Sequence, residues 1–314
     1  MKLHHNEKDF QDLINITANH FQLPADAVRK DYFITLILAN LESSEYVDLV
    51  IFKGGTSLSK CYPNSIERFS EDIDLTYIPD TNSSNKIISN RLKEIERLLI
   101  GSGKSEVIPE ERNERNKSCY VWFSEQSKIE DKIKLEIGSS VIPYPFSKRS
   151  LQSYIHSYLV IQGFQEVIDE FDLKVIWVNV LNIERTFIDK IFSVKRHAIC
   201  GTIGKKVRHI YDVVRLSEMN EIKNFLNDKD TLKKIVSLTK ETDHVYFEKR
   251  RMPSDYVPWS AYNYLSWKAK LTDDVKKNYE NLHNTLLYTN QKQDWNQVDA
   301  VFSEIDRILS DIQE

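Results

Sequence analysis

The sequence predicts an α+β fold, with a mixed N-terminal half of strands and helices followed by a mainly helical C-terminal region. Up to about residue 180, short apolar or alternating segments typical of strands lie between helical segments. From Ile183 onward, nearly every segment has the apolar spacing of a helix. We therefore expect two domains, an α/β core with N-terminal helices over residues 1–180 and a helical domain over residues 181–314.

The elements of the N-terminal half are recognised by their periodicity. Apolar residues at helical spacing occur in residues 7–42 and 85–100. Strand patterns occur, in chain order, at residues 47–55, 72–78, 118–125, 131–138 and 173–181. The first of these strands ends in a glycine turn, and the sequence after residue 140 is less regular and suggests turns before the last strand.

The C-terminal half begins with two well-marked helices. The segment 183–199 is helical, a loop bracketed by glycines follows, and residues 207–216 form the next predicted helix. Further helical segments continue to the C-terminus.

Composition excludes several classes of protein. With 314 residues, 41% hydrophobic and 29% charged, the chain is expected to fold as a soluble protein, and its net charge of −4 disfavours a globally cationic nucleic-acid binder. The three cysteines show no C-x-x-C spacing, which argues against a disulfide framework or a zinc knuckle. The N-terminus lacks the apolar core of a signal peptide, and no apolar run reaches the ~18–20 residues that cross a bilayer. We expect a cytoplasmic protein with no membrane association.

Two aspartates mark a candidate metal site. In a strand over residues 72–78, Asp72 and Asp74 project from the same face, while Ile73 and Leu75 point into the core. Two adjacent carboxylates repel each other unless a cation lies between them, and hard divalent ions such as Mg²⁺ or Mn²⁺ prefer oxygen ligands completed by substrate phosphates. A lone D-x-D is more often simply solvated.

A glycine pair precedes these aspartates. Gly54 and Gly55 allow a ligand to approach the backbone, and their N–H groups, with the Thr56 and Ser57 hydroxyls, are suited to phosphate oxygens. A lone G-G-T-S is usually only a turn. The joint pattern of strand, glycine turn and D-x-D strand is much more specific and indicates a site for a metal-bound nucleoside triphosphate.

The segments F-K-G-G-T-S-L-S-K and R-F-S-E-D-I-D-L resemble the signature of nucleotidyltransferases of the AbiEii/AbiGii toxin type. The matching residues are Gly54, Gly55, Thr56, Leu58, Arg68, Phe69, Ser70, Asp72, Ile73, Asp74 and Leu75. Residues 28–38, 183–197 and 207–216 are similar to three further family helices in the same order, with Arg29 and His209 replacing a usual glutamate and a common aspartate.

The resemblance implies a mixed-sheet nucleotidyltransferase core, with a helical domain that completes the active site. It implies a metal-dependent transfer of a nucleoside monophosphate from a nucleoside triphosphate to RNA, with tRNA the leading acceptor and pyrophosphate released. It further implies the toxin of a type IV-like toxin–antitoxin or phage abortive-infection system, with a separately encoded antitoxin as partner. The nucleotide-binding residues it implies are Gly54, Gly55, Thr56, Ser57, Lys60, Arg68, Ser70 and Lys190.

Three further residues are candidates with open alternatives. Glu136 is the third metal ligand beside Asp72 and Asp74, or it belongs to a solvated, charge-paired face with Lys132 and Lys134. The resemblance places Lys190 on the triphosphate; alternatively, it pairs within its helix with Asp189 or Glu184.

The resemblance also places Asp212 in the active site as a catalytic residue, either as a general base or as the residue that orients Lys190. Alternatively, Asp212 forms an intrahelical ion pair with Arg208 or Arg215. Local positive charge suited to a triphosphate and an RNA backbone comes from Lys60, Arg68, Lys195, Arg196, Lys205, Lys206 and Arg208.

Two other functions compete with RNA nucleotidyl transfer. The acceptor is instead a protein side chain or a small molecule, or the chain is a nucleotide-binding regulatory module that transfers nothing. The presence of both Asp72 and Asp74 disfavours the inactive module.

Overall fold

A computed structural model of the chain describes residues 2–123, 132–250, 255–285, 287–288 and 292–312. The chain divides into two units, each assembled from separated segments. Unit 1 comprises Met1–Cys61, Phe69–Ser139 and Phe146–Val180, and unit 2 comprises Tyr62–Arg68, Ser140–Pro145 and Leu181–Glu314.

Unit 1 is organised around a mixed sheet. Its strands are β1 Val50–Lys53, β2 Ile73–Tyr77, β3 Lys104–Val107, β4 Asn116–Trp122, β5 Ile133–Gly138, β6 Phe146–Leu151 and β7 Ile176–Leu181. The strand order in the described sheet is β3-β4-β5-β2-β1-β7-β6. Strand β2 runs antiparallel to β1 and parallel to β5, so the strand that carries the aspartates lies in the middle of the sheet.

The helices of unit 1 precede or connect these strands in the sequence. They are α1 Glu7–Phe21, α2 Ala25–Glu42, α3 Gly54–Cys61, α4 Asn85–Ile100, α5 Tyr154–Gln162 and α6 Gln165–Glu170. Helix α1 starts where the Asn6 side chain accepts a hydrogen bond from the Asp9 amide, and α4 starts at Ser84 in the same way.

The core of unit 1 is built from the inward face of the central strands. Ile73 and Leu75 of β2 and Leu135 and Ile137 of β5 are each at most 1% exposed. Leu135 lies opposite Ile73, and Ile137 opposite Leu75, in the parallel register. The period of two along both strands therefore leaves the intervening charged residues on the other face.

Unit 2 is helical. Its helices are α7 Ile183–Ile199, α8 Val207–Ser217, α9 Asn220–Asn227, α10 Lys229–Arg250, α11 Tyr264–Trp267, α12 Asp273–Thr285 and α13 Trp295–Asp311. Large apolar and aromatic side chains fill its interior, among them the fully buried Phe187, Tyr211, Trp267, Tyr279 and Phe302. These five aromatic residues are thus core residues.

The predicted fold class is confirmed, and the differences are local. The glycine turn expected after the first strand is the first turn of α3, which follows β1 without a loop. Strands β3 and β6 and helices α5 and α6 were not predicted. Strand β6 consists of F-S-K-R-S-L and α5 of Y-I-H-S-Y-L-V-I-Q, and neither segment has a clear period in its polar and apolar residues. Residues 124, 125 and 131 of two predicted strands lie outside the described residues.

No helix in the described ranges is long and apolar enough to cross a membrane.

Replacing Leu135 with alanine tests the inward face of β5. Because Leu135 is fully buried, Leu135→Ala is expected to lower the free energy of unfolding by about 2–5 kcal/mol. Val107→Ala on β3, where the side chain is 53% exposed, is the control and should change it by less than about 0.5 kcal/mol. Urea unfolding followed by circular dichroism measures both, and equal effects would contradict the assigned core.

Candidate active site

The two aspartates of the D-x-D motif lie at the start of β2 in unit 1. Asp72 is exposed and directly precedes the strand, and Asp74 is half-buried within it. Ile73 and Leu75 are buried on the opposite face, as the strand alternation predicts. The carboxylates of Asp72 and Asp74 therefore share one side of the sheet.

The backbone of Gly54 lies against the Asp74 carboxylate. Lys53, the last residue of β1, is the register partner of Asp74, so the next residue starts α3 directly beside that carboxylate. Gly54 has φ +87°, and a Cβ atom there would lie 2.3 Å from Asp74 Oδ2. Only glycine accommodates both the conformation and this close approach.

The hydroxyls of the first turn of α3 are used within the protein. The buried Thr56 hydroxyl donates to the Asp72 carbonyl oxygen at 2.5 Å and lies 3.0 Å from the Ser70 hydroxyl. The buried Ser57 hydroxyl donates to the Gly54 carbonyl oxygen at 3.0 Å. These hydrogen bonds stabilise the first turn of α3. The main-chain N–H groups of the turn, including that of Gly55, have no intrahelical acceptor and are the groups best suited to a phosphate.

Glu136 lies beside Asp74 on the neighbouring strand. The two residues are register partners in the parallel pair β2–β5. Burial, and then the negative charge of Asp74, raise the pKa of Glu136, while the charges of Lys53 and Lys134 oppose that rise. Asp74 and Glu136 thus repel each other in the absence of a cation.

The remaining charges on this face of β5 are paired. Lys134 forms an ion pair with Glu111 at 2.7 Å and lies 3.9 Å from Glu136, and Lys132 pairs with Glu106 at 2.9 Å. Lys132 and Lys134 therefore belong to a charge-paired face, which was one of the two alternatives considered from the sequence.

The oxygen donors of Asp72, Asp74 and Glu136 are of the type that Mg²⁺ or Mn²⁺ prefers. Among the residues that the structure describes, no group of three or more His, Cys, Asp or Glu side chains is arranged to hold a metal ion. The chemistry of these donors suits such an ion when oxygens of a bound phosphate supply the remaining ligands.

Lys60 lies near the C-terminal end of α3, and its partners are other residues of unit 1. Its ammonium forms an ion pair with Asp31 and donates to the Gln152 carbonyl oxygen at 3.1 Å. The second Asp31 oxygen accepts from the Tyr154 amide at 2.8 Å. These groups line a cavity of about 330 Å³. The predicted contact of Lys60 with nucleotide remains a prediction.

Unit 2 contains a buried cluster of three charged side chains. Arg68 binds both oxygens of Asp212, with Nε 2.6 Å from Oδ1 and an Nη atom 2.7 Å from Oδ2. Lys190 on α7 lies 2.7 Å from the same Oδ2. Asp212 is fully buried, and Arg68 and Lys190 are 3% and 5% exposed.

This cluster replaces the local ion pairs considered from the sequence. Arg215 pairs with Glu67 and Glu218 rather than with Asp212, and Asp189 pairs with Arg185 rather than with Lys190. The partners of Asp212 come from distant positions in the sequence.

Asp212 is poorly suited to accept a proton. Burial alone would raise its pKa, but the charges and hydrogen bonds of Arg68 and Lys190 hold the pKa below its usual 3.8. Both carboxylate oxygens are already engaged. Orienting Lys190 fits this environment better than a general-base role.

His209 lies near this cluster, whose three charges act on its imidazole. Its Nδ1 atom is 3.0 Å from the Ser193 hydroxyl. Burial, and then the charge of Lys190, lower its pKa well below 6.5, so the imidazole is neutral at neutral pH.

Lys53 is the residue of this site that sequence reasoning did not single out. It shares a face with Asp74, and its charge acts on Glu136. The available signal was its place at the end of a strand, directly before Gly54.

Sequence comparison identifies the family of the chain. The description of the family is "Nucleotidyl transferase AbiEii toxin, Type IV TA system", and its sequence model matches residues 36–303. The chain belongs to this family and is a nucleotidyltransferase of the toxin class, which implies a nucleotide substrate and an antitoxin partner. None of the curated proteins compared with the chain matches it.

Two solved structures are similar over nearly the whole chain. The nucleotidyltransferase toxin MenT4 from Mycobacterium tuberculosis H37Rv has 15% identity and a TM-score of 0.49, with 95% of this chain and 98% of MenT4 covered. JHP933 from Helicobacter pylori has 16% identity and a TM-score of 0.40, with 93% and 100% covered. Both likenesses are too distant to transfer residue roles.

Gly54→Ala tests the close approach to Asp74. The new Cβ atom would meet the carboxylate at 2.3 Å, so we expect Asp74 to be displaced and nucleotidyl transfer to fall by roughly 100-fold. Gly163→Ala is the matched control because Gly163 also has positive φ, 76°, but no atom within 4 Å of the added Cβ. It should cost about 1–2 kcal/mol of stability and leave transfer unchanged. Equal transfer rates for both variants would contradict the close-approach argument.

Asp212→Asn tests the buried charge cluster. Removing the carboxylate leaves two buried cations without their partner, and the free energy of unfolding is expected to fall by about 3–5 kcal/mol at neutral pH. Because the folded-state pKa of Asp212 lies below 3.8, its stabilisation is present above that pH and is lost as the pH falls further. The two proteins should therefore converge in stability in acid.

Chemical unfolding from neutral to acid pH measures this difference. Asp273→Asn, which removes an exposed carboxylate, is the control and should change stability by less than about 0.5 kcal/mol. A pH-independent difference between wild type and Asp212→Asn would show that charge is not its cause.

Proposed function

We propose that the chain transfers a nucleoside monophosphate from a nucleoside triphosphate to a hydroxyl group of RNA, with tRNA as the leading acceptor, and releases pyrophosphate. The observation that carries the proposal is that Asp74 lies within β2 with its carboxylate against the backbone of Gly54, the first residue of α3. We further propose that this activity serves abortive infection against phage in the cytoplasm.

We propose that the reaction requires Mg²⁺ or Mn²⁺. Asp72 and Asp74, with Glu136 as the third carboxylate, are the residues that would hold the metal. When bound, the ion supplies positive charge that neutralises the triphosphate and the leaving pyrophosphate.

The residues of the chain supply positioning and electrostatic stabilisation. An acceptor oxygen attacks the α-phosphorus, the bond from that phosphorus to the pyrophosphate oxygen breaks, and the proton of the acceptor hydroxyl passes to solvent water. We assign the first turn of α3 to phosphate oxygens and Lys190 to charge on the triphosphate. Asp212 is a positioning residue that orients Lys190, supported by its 2.7 Å contact with the ammonium.

An RNA acceptor is supported by basic side chains that remain accessible. Of the cations considered from the sequence, Lys60, Arg68, Lys195 and Arg196 are engaged inside the protein. Lys205 and Arg208 are exposed and Lys206 is half-exposed, at the start of α8. This segment is suited to an RNA backbone.

An incorporation assay tests the proposal. Wild type, Asp72→Ala and the control Asp80→Ala, which removes an exposed carboxylate beyond the same strand, are incubated with Mg²⁺, total RNA and each labelled nucleoside triphosphate. We expect label on tRNA-sized RNA with wild type and Asp80→Ala, and at least about 100-fold less with Asp72→Ala because a metal ligand is lost.

Other outcomes identify different functions. Magnesium-dependent binding of triphosphate without label on any RNA would contradict the RNA acceptor and favour a protein or small-molecule acceptor. Absence of triphosphate binding would contradict nucleotidyl transfer to any acceptor. Label that persists in Asp72→Ala would contradict the assigned site.

A further inference from the structure

We infer that Lys53 makes metal binding at the carboxylates depend on the triphosphate. Its ammonium weakens capture of a bare divalent cation and strengthens capture of the same cation together with a triphosphate. The inference rests on the proposed function, because it takes Asp72, Asp74 and Glu136 as the metal ligands.

The sheet register places Lys53 in a row with two of these carboxylates. Lys53 on β1 lies opposite Asp74 on β2, and Asp74 lies opposite Glu136 on β5. Residues opposite each other on adjacent strands point to the same face and lie about 5 Å apart. The positive charge of Lys53 also acts on Glu136, two strands away, where it opposes the rise in the pKa of that carboxyl.

Three other lysines of unit 1 are committed to ion pairs. Lys134 is held by Glu111, Lys60 by Asp31 and Lys30 by Glu71. Within the part of the chain that the structure describes, the Lys53 ammonium makes no hydrogen bond or ion pair. It is therefore the cation of this face that is available to an incoming anion.

Charge decides the sign of its effect. A unit positive charge about 5 Å from a divalent ion at a solvent-accessible site weakens binding of that ion by roughly tenfold. A triphosphate carries enough negative charge to outweigh this repulsion, and the same ammonium then attracts the complex. The absence of a preformed group of three metal-binding side chains in the described residues agrees with a metal that arrives with its phosphates.

Lys53→Gln tests the inference through two binding measurements with opposite expected signs. Isothermal titration calorimetry of the full chain with Mn²⁺ alone should give a dissociation constant roughly tenfold lower than that of wild type. Titration of the variant with inorganic triphosphate in excess Mn²⁺ should give a dissociation constant roughly tenfold higher than that of wild type. A variant that was merely damaged would weaken both.

Two controls separate charge from structure. Lys53→Arg retains the charge and should behave as wild type in both titrations. Lys174→Gln removes a lysine whose side chain is 69% exposed and pairs with Asp172, and it should also match wild type.

The outcomes distinguish this inference from the proposed function. If wild type and Lys174→Gln bind Mn²⁺ with triphosphate and Lys53→Gln binds both ligands as they do, or binds both more weakly, the inference on Lys53 fails and the proposed function stands. If wild type does not bind Mn²⁺ with triphosphate, the metal-dependent function fails and the inference fails with it.

Discussion

Repulsion between carboxylates on one sheet face is the constraint on which the site in unit 1 depends. Asp74 and Glu136 are register partners on adjacent strands, so the sheet itself holds their charges together. Burial of the opposite face by Ile73 and Leu135 fixes this register, because a slip of one residue would move the apolar side chains to the wrong side. The hydrophobic core thus stabilises an arrangement that electrostatics alone would oppose.

Backbone geometry brings a second group to the same place. Strand β1 passes into α3 without a loop, and Gly54 allows the helix to start in contact with the Asp74 carboxylate. The hydroxyls of Thr56 and Ser57 hold this turn in place through main-chain carbonyl oxygens. The turn therefore offers main-chain N–H groups beside the carboxylates, a combination that suits a metal-bound phosphate.

In unit 2, a buried carboxylate lies between two cations instead of beside a second carboxylate. Asp212 is surrounded by two cations, Arg68 and Lys190, and its hydrogen bonds satisfy both oxygens. Such a cluster is retained only when the geometry is good, because the desolvation of each charge must be offset. One carboxylate shared between two cations gives Lys190 a defined orientation.

Periodicity and motif spacing by themselves determined the fold class, most element positions and the family. Helices such as Asn85–Ile100 and Ile183–Ile199 were predicted to their ends, because amphipathic periodicity is a local property of the chain. Strands β3 and β6 escaped prediction because edge strands need no regular apolar face.

Only the tertiary structure decided how the charged residues are paired. Local spacing allowed Asp212 to pair with Arg208 or Arg215, and the family resemblance set it against Lys190; its partners are Lys190, 22 positions away, and Arg68, 144 positions away. Lys53 likewise becomes notable only because the strand register sets it beside Asp74. Ion pairing and register depend on which segments fold against each other, and a single sequence without coordinates does not contain that information in any local pattern.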